Sequence, residues 1–130
     1  MDLHLKDKVI IVTGGAKGIG EAIVRLLVEE GAVPAIIDKD EASSVKILTD
    51  IGHRGHFIKT DLTSPAACQK AVGEIKSRYG RIDGLVNNAG FNDGIGLEKG
   101  SPEKFIESLN NNAGHFYFMA HYALPYLKQN

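Results

Sequence analysis

A chain of 130 residues, 43% hydrophobic and with a formal net charge of −1, carries the apolar material for one core; two domains would each be too small. Acids and bases are mixed along it with no like-charge run to grip a polyanion, which argues against nucleic acid as a partner. The lone Cys68 rules out an internal disulfide, no Cys/His cluster has zinc-site spacing, and no stretch approaches the ~20 apolar residues of a membrane span. With no basic-then-apolar leader in residues 1–6, the expectation is a soluble, cytoplasmic, metal-free protein that keeps off membranes.

Val9-Ile10-Ile11-Val12 is an apolar, β-branched run ending in glycines, as a strand buried on both faces should be. Ile19, Ala22, Ile23, Leu26 and Leu27 then fall on one face of a helix stopped by Gly31. Ala35-Ile36-Ile37 ending in Asp38 predicts a second strand, with Pro34 at its first position because proline cannot donate to a ladder. Ala42, Val45, Leu48 and Ile51 mark a second helix before Gly52, and residues 56–59 a third strand before Asp61. Ser64-Pro65 opens a third helix whose inward face runs from Cys68 through Ala71, Val72 and Ile75 to Tyr79. Leu85-Val86-Asn87-Asn88 predicts a fourth strand, residues 91–100 a glycine-rich loop, and Ser101-Pro102 the start of one long helix towards Leu127.

Four strand–helix alternations imply parallel strands joined by right-handed crossovers, with helices on both faces. The expected class is a Rossmann-type doubly wound α/β fold, three layers α/β/α, supplying the first four strands in the order 3-2-1-4. A complete fold of this kind has six, so residues 1–130 read as one domain that is the N-terminal part of a longer chain.

Thr13-Gly14-Gly15-Ala16-Lys17-Gly18-Ile19-Gly20 joins the first strand to the first helix, where glycines let a pyrophosphate approach backbone N–H groups at a helix N-terminus. Lys17 precedes Gly18 and no Gly-Lys-Ser/Thr follows, so this is not the loop of a P-loop hydrolase. Asp38 ends the second strand 18 residues after Gly20, near the ~20-residue offset at which an acid meets the adenosine ribose of NAD. A carboxylate there disfavours a 2′-phosphate, so the expected cofactor is NAD. Lys17 and Lys39 flank that acid closely enough in sequence to offset part of the repulsion. Asp61-Leu62 either brackets the adenine or only turns its loop. The amides of Asn87 and Asn88, ending a buried strand, require hydrogen-bond partners.

Together, Thr13-Gly14-x-x-x-Gly18-x-Gly20, Asp38, Asp61 and Asn87-Asn88-Ala89-Gly90 resemble the compact type of short-chain dehydrogenase/reductase over nearly the whole chain. The resemblance implies that Gly14, Lys17, Gly18, Ile19 and Gly20 cradle the cofactor, that Asp38 selects NAD, and that Asp61 and Leu62 flank the adenine. It implies that Asn88, Ala89 and Gly90 line the nicotinamide-side ribose, with Asn87 bracing the sheet. It also places in the long helix an asparagine that anchors a water of a proton relay. Asn110, Asn111 and Asn112 all offer themselves; ungapped counting selects Asn112, with its neighbours next in register. The family's serine and Tyr-x-x-x-Lys pair are absent from these residues, so residues 1–130 alone are expected to turn over no alcohol.

The implied activity is hydride transfer between the nicotinamide and a small-molecule secondary alcohol or ketone, or a sugar hemiacetal. Residues around Asp38-Lys39-Asp40 and Ala123-Leu124-Pro125-Tyr126 resemble sugar dehydrogenases of the L-fucose type, with 3-oxoacyl carrier-protein reductases as the alternative. A non-catalytic NAD-binding protein is the alternative of another class. His53 and His56 sit across a glycine-bearing loop without a third ligand, so no metal site is expected. A homodimer or homotetramer through the long helix 102–129 is the expected assembly.

Overall fold

The computed structural model describes all of residues 1–130. Four strands, β1 (Val9–Thr13), β2 (Val33–Asp38), β3 (His56–Lys59) and β4 (Gly84–Val86), form one parallel sheet in the order β3-β2-β1-β4. Between them run α1 (Gly18–Glu29), α2 (Glu41–Asp50) and α3 (Pro65–Tyr79); after β4 come α4 (Pro102–Leu109), a π turn at Asn110–Gly114 and α5 (His115–Leu127). The doubly wound α/β arrangement read from the alternation is the one observed.

Every residue of β1 is buried, and because successive side chains point to opposite faces, the strand feeds two cores. Val9 and Ile11, with Ala35 and Ile37 of β2, pack against Cys68, Ala71, Val72 and Ile75 of α3 and Met119 and Ala123 of α5. Ile10 and Val12, with Ile36, pack against Val24 of α1 and Ile47 of α2. A slip of one residue in β1 would exchange the two sets, so its register is tightly specified.

Three local expectations are corrected. β2 begins at Val33, with Pro34 as its second, fully buried residue. Val33 donates to the Lys8 carbonyl on the β1 side, so the proline nitrogen faces the β3 side, where pairing starts only at Ala35. β4 stops at Val86, because Asn87 and Asn88 already turn away from the ladder. The single helix expected from Pro102 to Leu127 is broken by the π turn, where three asparagines and a glycine, poor helix formers, let side-chain bonds set the path. Asn112 Nδ2 bonds back to the Ser108 carbonyl at 2.9 Å.

His115, the first residue of α5, is 2% exposed, and neither ring nitrogen makes a full hydrogen bond. Burial pulls its pKa below the ordinary 6.5, opposed in part by the Ala89 backbone, so the ring is neutral at pH 7. A histidine whose folded pKa lies below its unfolded value takes up its proton first in the unfolded chain, so its stabilising share is whole above about 6.5 and is lost as pH falls from there through the lowered folded value. Unfolding free energy measured by urea titration is expected to decline from pH 7 to 5.5, and less steeply in His115→Leu. Equal slopes would show that His115 is not the titrating group.

Candidate functional site

β1 and β4 are neighbours in space, and the turns leaving their C-terminal ends are fastened to each other. Thr13 Oγ1 accepts from the Asn88 N–H at 3.0 Å and the Ala89 N–H at 3.1 Å, and donates to the Val86 carbonyl at 3.4 Å. In return Asn88 Nδ2 donates to the carbonyls of Thr13 and Gly14, both at 3.1 Å. Bracing therefore falls to Asn88, whereas Asn87 reaches across to the Phe116 carbonyl of α5 at 3.2 Å.

The glycine turn is built by close approach. A Cβ on Gly20 would overlap the Gly14 carbonyl oxygen, and one on Gly14, at φ +64°, would come within 2.8 Å of Ala89 Cα. Gly18 differs: it is exposed, sits at φ +55°, and has open space in front of it, so a side chain there would be strained and would also intrude on that space. Side chains of Asp40, Ser64 and Ser101 cap α2, α3 and α4, but the residue preceding α1, Lys17, supplies no cap. The first-turn N–H groups of α1 thus lack a side-chain acceptor beside an open glycine, an arrangement that fits a pyrophosphate.

From this turn a cleft of about 590 Å³ opens along the C-terminal ends of the strands, walled by Gly14, Lys17, Asp38 and Lys39 on one side and by Asn88, Ala89 and Gly90 on the other, with Asp61 and Leu62 beyond. Nine of the residues singled out in sequence therefore meet in one cleft, while Gly18, Ile19 and Gly20 form the turn at its lip. Ile19 itself is 75% exposed, so its contribution is backbone rather than packing.

Asp38 is held by backbone: its Oδ2 accepts from the Ala16 N–H at 3.1 Å and its Oδ1 from the Asp40 N–H at 2.9 Å. A carboxylate has about four lone-pair directions, so two remain for a ligand. Asp61 accepts from Thr63 Oγ1 at 2.6 Å and Thr63 N at 3.0 Å; these bonds, assisted by Lys39, hold its pKa below the usual carboxylate value and make it the turn-forming residue of its loop. Leu62 lines the cleft and packs on the α3 side of the core.

Asn112 does not turn its amide to the cleft. Its Oδ1 accepts from the Phe91 N–H at 2.6 Å, and its Nδ2 donates to the carbonyls of Phe91 and Ser108. One amide donation holds the loop after Gly90 and the other the end of α4, and it is Asn111 that lines the cleft. Phe91, Thr60, Thr63 and His115 also line it without having been singled out as cofactor residues. The bracing role of Thr13, beneath the cleft rather than in its lining, was not assigned from the sequence, although a hydroxyl at the end of an otherwise apolar strand signals it. No group of three or more His, Cys, Asp or Glu side chains could hold a metal ion, and His56 faces Glu74 at 3.2 Å. No helix is long and apolar enough to cross a membrane.

The family model described as short chain dehydrogenase matches residues 8–130. The chain belongs to the short-chain dehydrogenase family. It is 35% identical over 129 residues to a probable galactose dehydrogenase of Rhizobium meliloti (strain 1021), covering 96% of this chain and 50% of that protein. It is 38% identical over 123 residues to an L-fucose dehydrogenase of Rattus norvegicus, covering 94% and 45% respectively. The solved structure of an NADH-dependent reductase, A1-R′, complexed with NAD superposes with a TM-score of 0.86 at 32% identity, covering 99% of this chain and 56% of that one. The chain thus spans about half the length of the relatives it matches. The resemblance carried by the glycine turn and Asn87-Asn88-Ala89-Gly90 is a family relationship.

Replacing Thr13 by the isosteric valine leaves the Asn88 and Ala89 N–H groups without their acceptor, and is expected to cost about 1–3 kcal/mol. Thr13→Ser, which keeps the oxygen, should recover most of it. Denaturant midpoints of the three proteins check this; a valine variant as stable as wild type would remove the link from the account.

Proposed function

We propose that the protein containing this chain is an NAD-dependent oxidoreductase that moves a hydride between the nicotinamide and a secondary alcohol, or a sugar hemiacetal, and the corresponding carbonyl. Family membership supports the reaction class, and the relatives named for galactose and L-fucose support a sugar substrate. Asp38 carries the choice of NAD. Its carboxylate is fixed by two backbone N–H groups at the end of β2, with lone pairs left to accept from the two ribose hydroxyls.

When bound, the nicotinamide accepts the hydride. The residues of this chain bind and orient it: α1 offers its uncapped N–H groups to the pyrophosphate, and the turn of Asn88, Ala89 and Gly90, pinned to Thr13, lines the nicotinamide-side ribose. Leu62 and Asp61 stand at the adenine end of the cleft. Asn112 fixes Phe91 and so the cleft wall that follows Gly90. Any water it holds for proton transfer is bound through its main chain or the free lone pair of Oδ1, since its amide donors are committed. Exposed Phe105, Ile106, Leu109, Phe116, Tyr117 and Leu124 on α4 and α5 support assembly into a homodimer or homotetramer through 102–129.

A 2′-phosphate of charge near −2 would meet the Asp38 carboxylate. Unit charges ~4 Å apart at an effective dielectric near 20 interact by about 4 kcal/mol, so even a heavily screened clash exceeds the ~1.4 kcal/mol of a tenfold preference. NAD is expected to bind roughly a hundredfold or more tightly than NADP. Asp38→Ser should weaken NAD, strengthen NADP and bring the two affinities together in calorimetric titrations of the full-length protein. A wild type that binds both alike would sink the assignment.

A further inference from the structure

Three cations line the cleft near Asp38, Lys17, Lys39 and Lys59, and each is already engaged, Lys59 by Glu41 Oε2 at 3.7 Å. Lys17 Nζ lies 2.7 Å from Asp40 Oδ2, an ion pair that ties the glycine turn to the start of α2. Lys39 Nζ stands 5.9 Å from the centroid of the Phe91 ring on the opposite wall. Asp40 is not a casual partner. Its carboxylate accepts from the Ser43 N–H at 3.0 Å and Ser43 Oγ at 2.8 Å as the cap of α2, and its own N–H donates to Asp38 Oδ1. The residue that catches Lys17 is thereby locked in register with the residue that receives the ribose.

We propose that Asp40 is a second determinant of cofactor choice: by holding Lys17, it denies a 2′-phosphate the one cation on the glycine turn that could neutralise it beside Asp38. The inference rests on the reading of Asp38 as the ribose acceptor and adds to it how the neighbouring positive charge is kept from undoing that selection. Lys17 is close enough to Asp38 to feel its charge, and the Asp40 contact is the larger influence, raising the lysine's pKa and lowering that of Asp40. The lysine side chain is 75% exposed, and this carboxylate is its ion-pair partner. Neutralising Asp40 frees it to swing towards a phosphate.

The test is calorimetric titration of NADH and NADPH into the full-length wild type, Asp40→Asn and the double variant Asp40→Asn/Lys17→Met. Asparagine keeps an oxygen for the Ser43 N–H, so α2 stays capped; Asp40→Ser, another good cap, serves as an independent substitution. With a wild type that prefers NADH, both Asp40 variants are expected to narrow the preference about tenfold by tightening NADPH, and the double variant should lose that gain. An unchanged ratio in Asp40→Asn and Asp40→Ser overturns the proposal while leaving the Asp38 reading intact. A gain that persists without Lys17 overturns it as well, since Asp40 would then act by repulsion alone. A wild type that prefers NADPH overturns the Asp38 reading itself, and this inference with it.

Discussion

The hydroxyl of Thr13 is the point on which the cleft turns. It is completely buried, at the end of the central strand, and serves two backbone N–H groups of the neighbouring turn while giving its own proton to a third residue. Chain order reverses at this place in the sheet: β1 leads to β2 on one side, and β4 lies on the other. At such a switch point the connections leave in opposite directions and a crevice must open. The separation that creates room for a dinucleotide would also leave both turns unsupported. Thr13 and Asn88 close that gap from beneath with hydrogen bonds in both directions, leaving the upper surface clear.

Much of this organisation was legible in the chain because strands buried on both faces read as unbroken apolar runs, and because each run stops at a residue of different chemistry. Val9 to Val12, Ala35 to Ile37 and the helical stripe from Cys68 to Tyr79 were legible for that reason. So was the cleft, since glycine spacing and the offset to Asp38 are local properties. What was not legible depends on contacts between distant segments. Two adjacent asparagines look alike in sequence; that Asn88 faces Thr13 and Asn87 faces α5 follows from a strand that ends at Val86, two residues before its expected end at Asn88. The ion pair between Lys17 and Asp40 joins two loops 23 residues apart with no periodicity to announce it. Pro34 reads as a strand boundary until the staggered start of β3 is known.

Helix termini show a division of labour. Three helices are closed at their N-termini by their own side chains, two of them with a following proline at the first helical position. α1 is started instead by a glycine turn with no side-chain acceptor. The unsatisfied donors are thus concentrated where the sheet presents its crevice, and the acids that could have quenched them are held elsewhere: Asp38 by Ala16 and Asp40, Asp40 by Ser43 and Lys17. Binding capacity is set as much by where the chain withholds a cap as by where it supplies a group.

The π turn at Asn110–Gly114 amounts to one residue more than an α-helix would use to cover the same rise. Each residue of a helix turns the axis by about 100°. Because the extra residue is taken up inside the widened turn, that rotation is not passed on: α4 and α5 keep the faces an uninterrupted helix would give them, and Ser108 stays within reach of Asn112. The constraint on this segment is therefore local: the widened turn absorbs one residue, and within it the Asn112 amide ties the cleft wall at Phe91 to the last turn of α4.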